Sequence, residues 1–386
     1  MEPLQSTLLA QLTQVPDFRK ARGKRYAWSY LLAIVTAAIA AGQKGVLEMA
    51  AWAQQHTAVL LSTLQPDCPR IPSAATLRRV LCRMDLAALE RQVAAYSQAL
   101  DAADPTAGGV KTADGQMLRG QAVDGKDVRG ASAHGRPTFL VSLVRHGSAY
   151  VLGQAAVDVK TNEITVVPTL LAGRNLQGTV TTMDALLTQR AIARQILAQK
   201  GHYLMIVKEN QPALYTAIEF LFRVPPVPAH PGELLTYQTR GKAHGRREWR
   251  QLESSTALNT YLDWPGVAQV MRRTCRRVLI TTGQVETKTT YGITSLPRPL
   301  AGPQQLEHLW RSHWTIENPL HYVRDETLAE DRCQLHTGSA PQALAALRNA
   351  ILSLFRYHGW SNIAAATRHY AARPHRALQL LGAFTT

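Results

Sequence analysis

Three carboxylates and one polar stripe are the residues from which chemistry could be built. Asp124 closes an expected strand in the string AVDGK, where Gly125 lets the chain turn away. Asp184 closes another in TTMDALLTQ. If these strands are neighbours in one sheet, both carboxylates project from the same edge, and Glu317 on a helix packed nearby completes a set of three. Mg²⁺ binds through a few such hard oxygens and keeps positions open for water and substrate phosphate. Two ions about 4 Å apart then activate the attacking oxygen and stabilise the leaving oxygen of an in-line displacement at phosphorus. The same aspartates also suit turns or helix caps, and the residues alone leave that reading open.

The stretch WRSHWTIENPLHYVRDETLAED, from Trp310 to Asp331, holds the third acid. On a helix, Trp310, His313, Glu317, Leu320, His321 and Arg324 recur at steps of three and four and share one face. A carboxylate flanked by imidazoles and a guanidinium suits gripping an anion beside a metal, and a solvated amphipathic helix is the plain alternative. Pro319 disfavours the α conformation at Asn318, so the sequence predicts a kink, or a helix that starts at Pro319 with Asn318 as its cap. A zinc site is not supported: His313, His321 and His336 form no His-Glu-x-x-His arrangement, and no Cys-x-x-Cys pair stands beside them. The four cysteines show no Cys-x-x-Cys pairing and read as buried reduced thiols.

The chain has 386 residues, beyond the usual ceiling for one core, so two or three domains are expected. Lys+Arg 43 against Asp+Glu 27 gives a formal charge of +16, which calls for a polyanionic partner. The basic residues are spread over the whole length rather than gathered at an amphipathic or lipidated terminus, which favours nucleic acid over membrane. The longest apolar run, Leu31 to Ala41, is about half the roughly 20 residues needed to cross a bilayer, and a cytoplasmic, nucleoid-associated protein is expected.

Periodicity sets the elements. Ser29–Gly42, Val46–Gln55 and Ala87–Leu100 read as helices, and Thr76–Met84 is a short helix started by Pro72 and Ser73 that displays Arg78, Arg79 and Arg83. That basic helix fits a DNA groove or simple solvation equally well. Asp101–Gly109 reads as a linker. Three strands follow, Gln121–Asp124, Thr138–Arg145 and Ala149–Asp158, as an antiparallel meander. Then come a helix at Thr165–Ala172, a strand at Thr179–Met183, a helix at Leu187–Gln199 and a strand at His202–Val207. Residues 213–222 look helical, and the 232–295 region holds further strands, at Leu234–Thr239, Trp249–Leu252, Val267–Arg272 and Thr287–Thr294. An alanine- and leucine-rich helix spans Ala340–Tyr357. The fold class is α/β: a mixed sheet with flanking helices and a β-rich insertion, preceded by an α-helical N-terminal domain. The boundaries are 1–105 for the helical DNA-binding domain, 110–231 with 296–360 for the catalytic domain, 232–295 for the insertion and 361–386 for a basic tail.

The strings VPDFRKARGKR, SAATLRRVL, AVDGK, TTMDA with the following YLMIVKENQ, HGRREWR, YGITSL and HWTIENPLHYVRDETLAED, in this order, resemble bacterial DDE transposases of the ISAs1 group. That group belongs to the wider IS4-like DDE superfamily, and the resemblance runs from about residue 15 to about 355. It implies an RNase H-like catalytic fold and a magnesium-dependent (or manganese-dependent) endonuclease with two ions, held by Asp124, Asp184 and Glu317. It also implies DNA recombination by transposition of an insertion sequence: cleavage at the element's ends, then transfer of the freed 3′-hydroxyl to target DNA. Double-stranded DNA is the partner, with a homodimer when DNA is bound. In the superfamily's helix motif, a Tyr, Arg, Glu and Lys register falls here on Trp310, His313, Glu317 and Arg324. His313, His321 and Arg324 are therefore expected to grip phosphate, with Lys126, Lys208, His244 and Arg246 as further DNA contacts. Lys208, Asn210 and Gln211 match a Lys-x-Asn-Gln string that a strand-end turn explains nearly as well. Asp127 adds a carboxylate where the pattern is commonly neutral, and it either repels near the metals or points to solvent. A catalytically inactive DNA-binding derivative and a metal-dependent nuclease of the same fold are the alternatives.

Overall fold

The computed structural model describes residues 6–112, 114–133, 136–157, 162–224, 233–243 and 245–383. In chain order the helices α1 (Leu8–Leu12), α2 (Trp28–Ala40), α3 (Val46–Gln55), α4 (Thr57–Leu64), α5 (Ala74–Arg83) and α6 (Leu86–Ala102) come first. They are followed by β1 (Gly109–Lys111), β2 (Met117–Ala133), β3 (Arg136–Arg145), β4 (Val151–Ala156), α7 (Glu163–Leu171), β5 (Thr179–Met183), α8 (Arg190–Ala198), β6 (His202–Val207) and α9 (Pro212–Arg223). Four long strands then run in succession, β7 (Leu234–Ala243), β8 (Arg246–Ser255), β9 (Gln269–Leu279) and β10 (Val285–Thr294). The chain ends with α10 (Pro303–Ser312), a 3-10 turn (His313–Thr315), a π-helix (Ile316–Thr327), α11 (Ala340–Tyr357), α12 (Ile363–Ala371) and α13 (Pro374–Leu380). These elements form two compact units: residues 1–107, 125–162 and 315–386 in the first, and 108–124 with 163–314 in the second. This division cuts across the boundaries expected from the sequence.

The first unit is built around two buried helices. In α2 every residue from Tyr30 to Ala40 is buried, as befits a helix apolar on all sides, and α11 is buried from Ala343 to Phe355. Helix α11 packs on α6, α5, α2 and β4. Ser73 caps α5 by accepting the Thr76 N–H, as its place before the helix predicts, and Asp85 caps α6 through the Ala88 N–H at 2.9 Å. Strand β3 pairs antiparallel with β4 and neighbours β2, so the expected meander is present. One strand differs from expectation. β2 does not stop at Asp124: it continues through Gly125 to Ala133, with Lys126 and Val128 turned inward.

In the second unit the strand order is β2-β5-β6-β10-β9-β8-β7, with β1 antiparallel to β2. The β2–β5 and β5–β6 pairs are parallel, and all five residues of β5 are buried, the usual state of a strand covered on both faces. From β6 onward every pair is antiparallel, and Tyr291 of β10 faces Val207 of β6. The β-rich insertion thus lengthens the sheet rather than folding apart from it. Its core meets α10 where Leu252, Met271, Leu309 and Trp310 pack together. A Cβ on Gly292 would lie 2.6 Å from the Trp310 ring, so this close approach of strand and ring requires glycine. Among the described residues, no helix is long and apolar enough to cross a membrane.

Candidate active site

The parallel pairing of β2 and β5 runs in register from Arg119 opposite Thr179 to Val123 opposite Met183. The next residue on each strand is an aspartate. Asp124 and Asp184 therefore leave corresponding places on adjacent strands, which lie about 4.8 Å apart in a sheet. Both are half-buried. β2 is anchored to β5 by side chains as well, for Gln121 Nε2 donates to Thr181 Oγ1 at 3.0 Å and Thr182 Oγ1 donates to the Gln121 carbonyl at 3.2 Å.

The loop after Asp184 is fixed from several directions. Asp184 Oδ1 accepts the Leu187 N–H at 3.1 Å, so the turn-capping role is real and coexists with a half-buried place at the end of β5. The Thr188 hydroxyl lies 2.9 Å from the Asp184 carbonyl and 2.6 Å from that of Ile206. Asn210 Nδ2 donates to the Ala185 carbonyl at 2.8 Å and Gln211 Nε2 to the Thr188 carbonyl at 3.0 Å. The two polar residues of the Lys-x-Asn-Gln string thus hold the loop that carries Asp184. Lys208 itself is exposed just past β6.

His313 stands on the 3-10 turn with Nδ1 2.9 Å from Thr182 Oγ1, two residues before Asp184 on β5. Its burial pushes the imidazole pKa down to about 4, although the Asp184 charge pulls the other way. The ring is therefore neutral at physiological pH and packed inside the second unit. That placement makes it a support for the Asp184 strand and does not suit the phosphate grip expected of it.

Glu317 is the second residue of the π-helix in the first unit, half-buried between the buried Ile316 and Leu320. The helical path breaks before it. α10 ends at Ser312, three residues turn in 3-10 form, and the wide helix begins at Ile316. Pro319 falls fourth in that helix, among the opening positions whose N–H groups need no intrahelical acceptor, so its missing donor is harmless there. Its carbonyl accepts from the half-buried Arg356, whose pKa desolvation lowers to about 10. The helix type changes between Ser312 and Ile316, ahead of Pro319, which lies inside the π-helix, so no helix starts at Pro319 with Asn318 as its cap, and the six stripe residues are divided among three kinds of helical turn.

Arg324 is also placed differently from expectation. It is fully buried, and its Nε and Nη2 donate to Glu330 at 2.9 and 2.6 Å. Arg348 Nη1 reaches the same carboxylate at 3.3 Å. Lys126, expected as a DNA contact, is buried too, 2.7 Å from Asp325, 3.2 Å from Asp331 and 3.9 Å from Glu330. Burial alone would raise the Glu330 pKa, but Arg324 and Arg348 outweigh it and hold the carboxyl below its ordinary value. Neither Arg324 nor Lys126 is placed to touch phosphate, because each charge is spent on this knot. The knot ties the part of β2 just past Asp124 to the segment that follows Glu317. Only the acidic residues of the string DETLAED could have hinted at it.

The remaining expected contacts are scattered. His321 lies half-buried in the π-helix. Arg246 opens β8 with Nε 2.8 Å from Glu248, and His244 lies outside the described residues. Asp127 is exposed, in keeping with the solvent reading. Arg78, Arg79 and Arg83 are all exposed on α5, with Arg78 Nη2 donating to Thr337 at 3.2 Å. Among the described residues no three His, Cys, Asp or Glu side chains are gathered into a cation site. The donor set that the sheet does offer, carboxylate oxygens without thiolate, fits a hard divalent cation such as Mg²⁺.

The parallel strands β2 and β5 of this mixed sheet each lead into an aspartate, and the sequence relationships give the class of protein. Residues 115–354 match the family described as Transposase DDE domain, and residues 9–97 match the DDE_Tnp_1-associated family. The chain belongs to the Transposase DDE domain family. It is 28% identical over 356 residues to YncI of Escherichia coli O157:H7, which bears a transposase name, covering 91% of this chain and 87% of that protein. It is 26% identical to YhhI of Escherichia coli K12, an H repeat-associated protein that also bears a transposase name, over 90% of this chain and 89% of that protein. A piggyBac transposase synaptic complex with hairpin DNA superposes with a TM-score of 0.44 at 9% identity, over 97% of this chain and 79% of that one.

Proposed function

We propose that this transposase is of the ISAs1 group, that it cuts DNA at the ends of its element, and that it joins the freed 3′-hydroxyl to target DNA. The observation that carries the reading is the register of β2 and β5, which brings Asp124 and Asp184 to matching places on adjacent strands. Asp124, Asp184 and Glu317 are the catalytic and metal-holding acids. Two Mg²⁺ or Mn²⁺ ions, when bound, supply activation of the attacking oxygen and stabilisation of the leaving oxygen. The protein's own part is positional: Thr182 and His313 steady the strand of Asp184, Asn210 and Gln211 steady its loop, and Lys126 anchors the strand just beyond Asp124. No covalent protein–DNA intermediate is formed. The chain works on double-stranded DNA as a homodimer, its helical N-terminal region, with Arg78, Arg79 and Arg83, engages the element's ends, and Lys208, Arg246 and His321 are further DNA contacts.

The test is incubation of the full chain with Mg²⁺ and DNA carrying the element's ends next to a target plasmid. Joined products that vanish in Asp184→Ala support the proposal. Nicks without joined products leave a metal-dependent nuclease, and equal inactivity of wild type and variant leaves an inactive DNA-binding derivative.

A further inference from the structure

A cleft of about 780 Å³ opens in the first unit between the segment FRKARGKR and α5. Lys20, Arg22, Arg25, Arg70, Arg79 and Arg83 line it, and no carboxylate is among its lining residues. All six are exposed. The nearby Asp17 does not offset them. Its carboxylate is held by Arg19 at 2.8 Å and Lys24 at 3.4 Å, and the Arg19 hydrogen bond keeps its pKa below the ordinary carboxylate range despite some burial. Arg19 is further fixed by a bond to the Tyr26 carbonyl at 3.0 Å and by its place 5.5 Å from the centre of the Trp28 ring. The segment and α5, with Arg70 just before that helix, thus present six cations around one hollow, and their mutual repulsion favours an anion of many charges over a single small one.

The aromatic residues narrow the ligand class. Phe18 meets Trp28 edge-on at 6.0 Å, and Tyr26 is buried with its hydroxyl on the Ile71 carbonyl. Tyr26 is thus closed to a base, and the half-buried Phe18 is a single ring rather than the succession of stacking platforms that single-strand binding uses. The cleft offers charge and the hydroxyls of Ser73 and Thr76, the groups that contact phosphate oxygens without reading sequence. Of the three arginines on α5, Arg79 and Arg83, four residues apart, face this hollow, while Arg78 turns to Thr337.

We propose that this cleft is a binding site for the phosphodiester backbone of duplex DNA, with Arg22, Arg25, Arg70, Arg79 and Arg83 on phosphates. The inference rests on the reading that the chain acts on DNA and gives it a surface in which α5 lies along the backbone rather than reading bases.

The probe is a labelled duplex of about 30 base pairs and arbitrary sequence, titrated with the full chain across a range of salt concentrations. Removing the cation that neutralises one phosphate lowers the salt slope of log K by about 0.9. The variant Arg22→Gln/Arg25→Gln/Arg70→Gln/Arg83→Gln should therefore reduce the slope by about 3.6. The charge-matched variant Lys200→Gln/Lys288→Gln/Arg368→Gln/Arg376→Gln, made at exposed positions elsewhere, should reduce it far less. Arg22→Gln and Arg25→Gln alone should each reduce it by about 0.9 with the melting temperature unchanged or raised, because like-charge repulsion is relieved. Equal slopes for the cleft and control variants overturn the proposal, as does a single strand of the same length binding more tightly than the duplex. Cleavage is scored in parallel. If wild type fails to cleave while the cleft variants show the reduced slope, the catalytic reading falls and the cleft stands; if wild type cleaves and the slopes are equal, the reverse holds.

Discussion

The proposed function gives the Asp184 carboxylate two duties, since Oδ1 accepts the Leu187 N–H and the same group is proposed to hold a metal. A carboxylate has lone pairs enough for both. Asparagine keeps a cap acceptor but loses the charge, so Asp184→Asn should melt within about 0.5 kcal/mol of wild type while losing at least about 1000-fold in Mg²⁺-dependent cleavage. A large drop in melting temperature would show that the residue is structural first. A second test lies at Gly292, where an added methyl would meet the Trp310 ring at 2.6 Å and the Met205 carbonyl at 3.1 Å. Gly292→Ala should cost about 1–3 kcal/mol in urea unfolding through overpacking. The position of Asp184 was legible because the β-branched run TVTTM stops at it. Asp124 was legible as a strand residue but not as a mid-strand one. The stretch beyond it is held by Lys126 and its distant acidic partners, which no local pattern announces.

Among elements, the buried knot on Glu330 links β2, the π-helix and α11. Arg324→Met would leave Glu330 fully buried with Arg348 at 3.3 Å and Lys126 at 3.9 Å as its remaining cations, and should destabilise the chain by about 3–5 kcal/mol in denaturant titration. Lys126→Met should lower cleavage more than duplex binding, because Lys126 steadies the strand of Asp124 and is not placed to touch DNA; equal losses would mean it contacts the nucleic acid. Glu90 offers a pH test. Its burial raises the carboxyl pKa although Gln154 and Gln342 donate to Oε1 at 2.9 and 2.8 Å. The folded state then holds its proton more tightly than the unfolded chain, so this group's contribution is present at acid pH and lost as pH rises past the ordinary carboxylate range. Glu90→Gln should raise the melting temperature at pH 7 relative to wild type and match it near pH 4. Strands β5 and β6 and helices α3 and α11 were legible residue for residue from period and composition. The π-helix was not, for helical spacing alone cannot tell turns of different width, and Pro319 warned only that something changes there.

For the whole molecule, the charge of +16 is a statement about partners and is readable from composition alone. It predicts that DNA binding weakens steeply with salt, by about 10³–10⁵ between 50 and 200 mM if six to ten phosphates are contacted. A flat salt response would contradict a backbone-driven complex. The sheet was legible in kind but not in extent. Strands β8 and β9 are arginine-rich, and Arg272 with Glu253 and Arg273 with Glu307 form ion pairs where an apolar alternation would have marked a strand. Their length rests on unbroken antiparallel pairing, from Arg246 opposite Leu279 to Ser255 opposite Val270, rather than on side-chain pattern. The central claim is that Asp124, Asp184 and Glu317 act as one metal-holding set. Its most direct test is Mg²⁺-dependent cleavage of element-end DNA by Asp124→Asn, Asp184→Asn, Glu317→Gln and the triple variant. Residues that act as a unit are strongly non-additive, so each single variant should be as inactive as the triple, and a Glu317→Gln chain that cleaves at the wild-type rate would contradict the account.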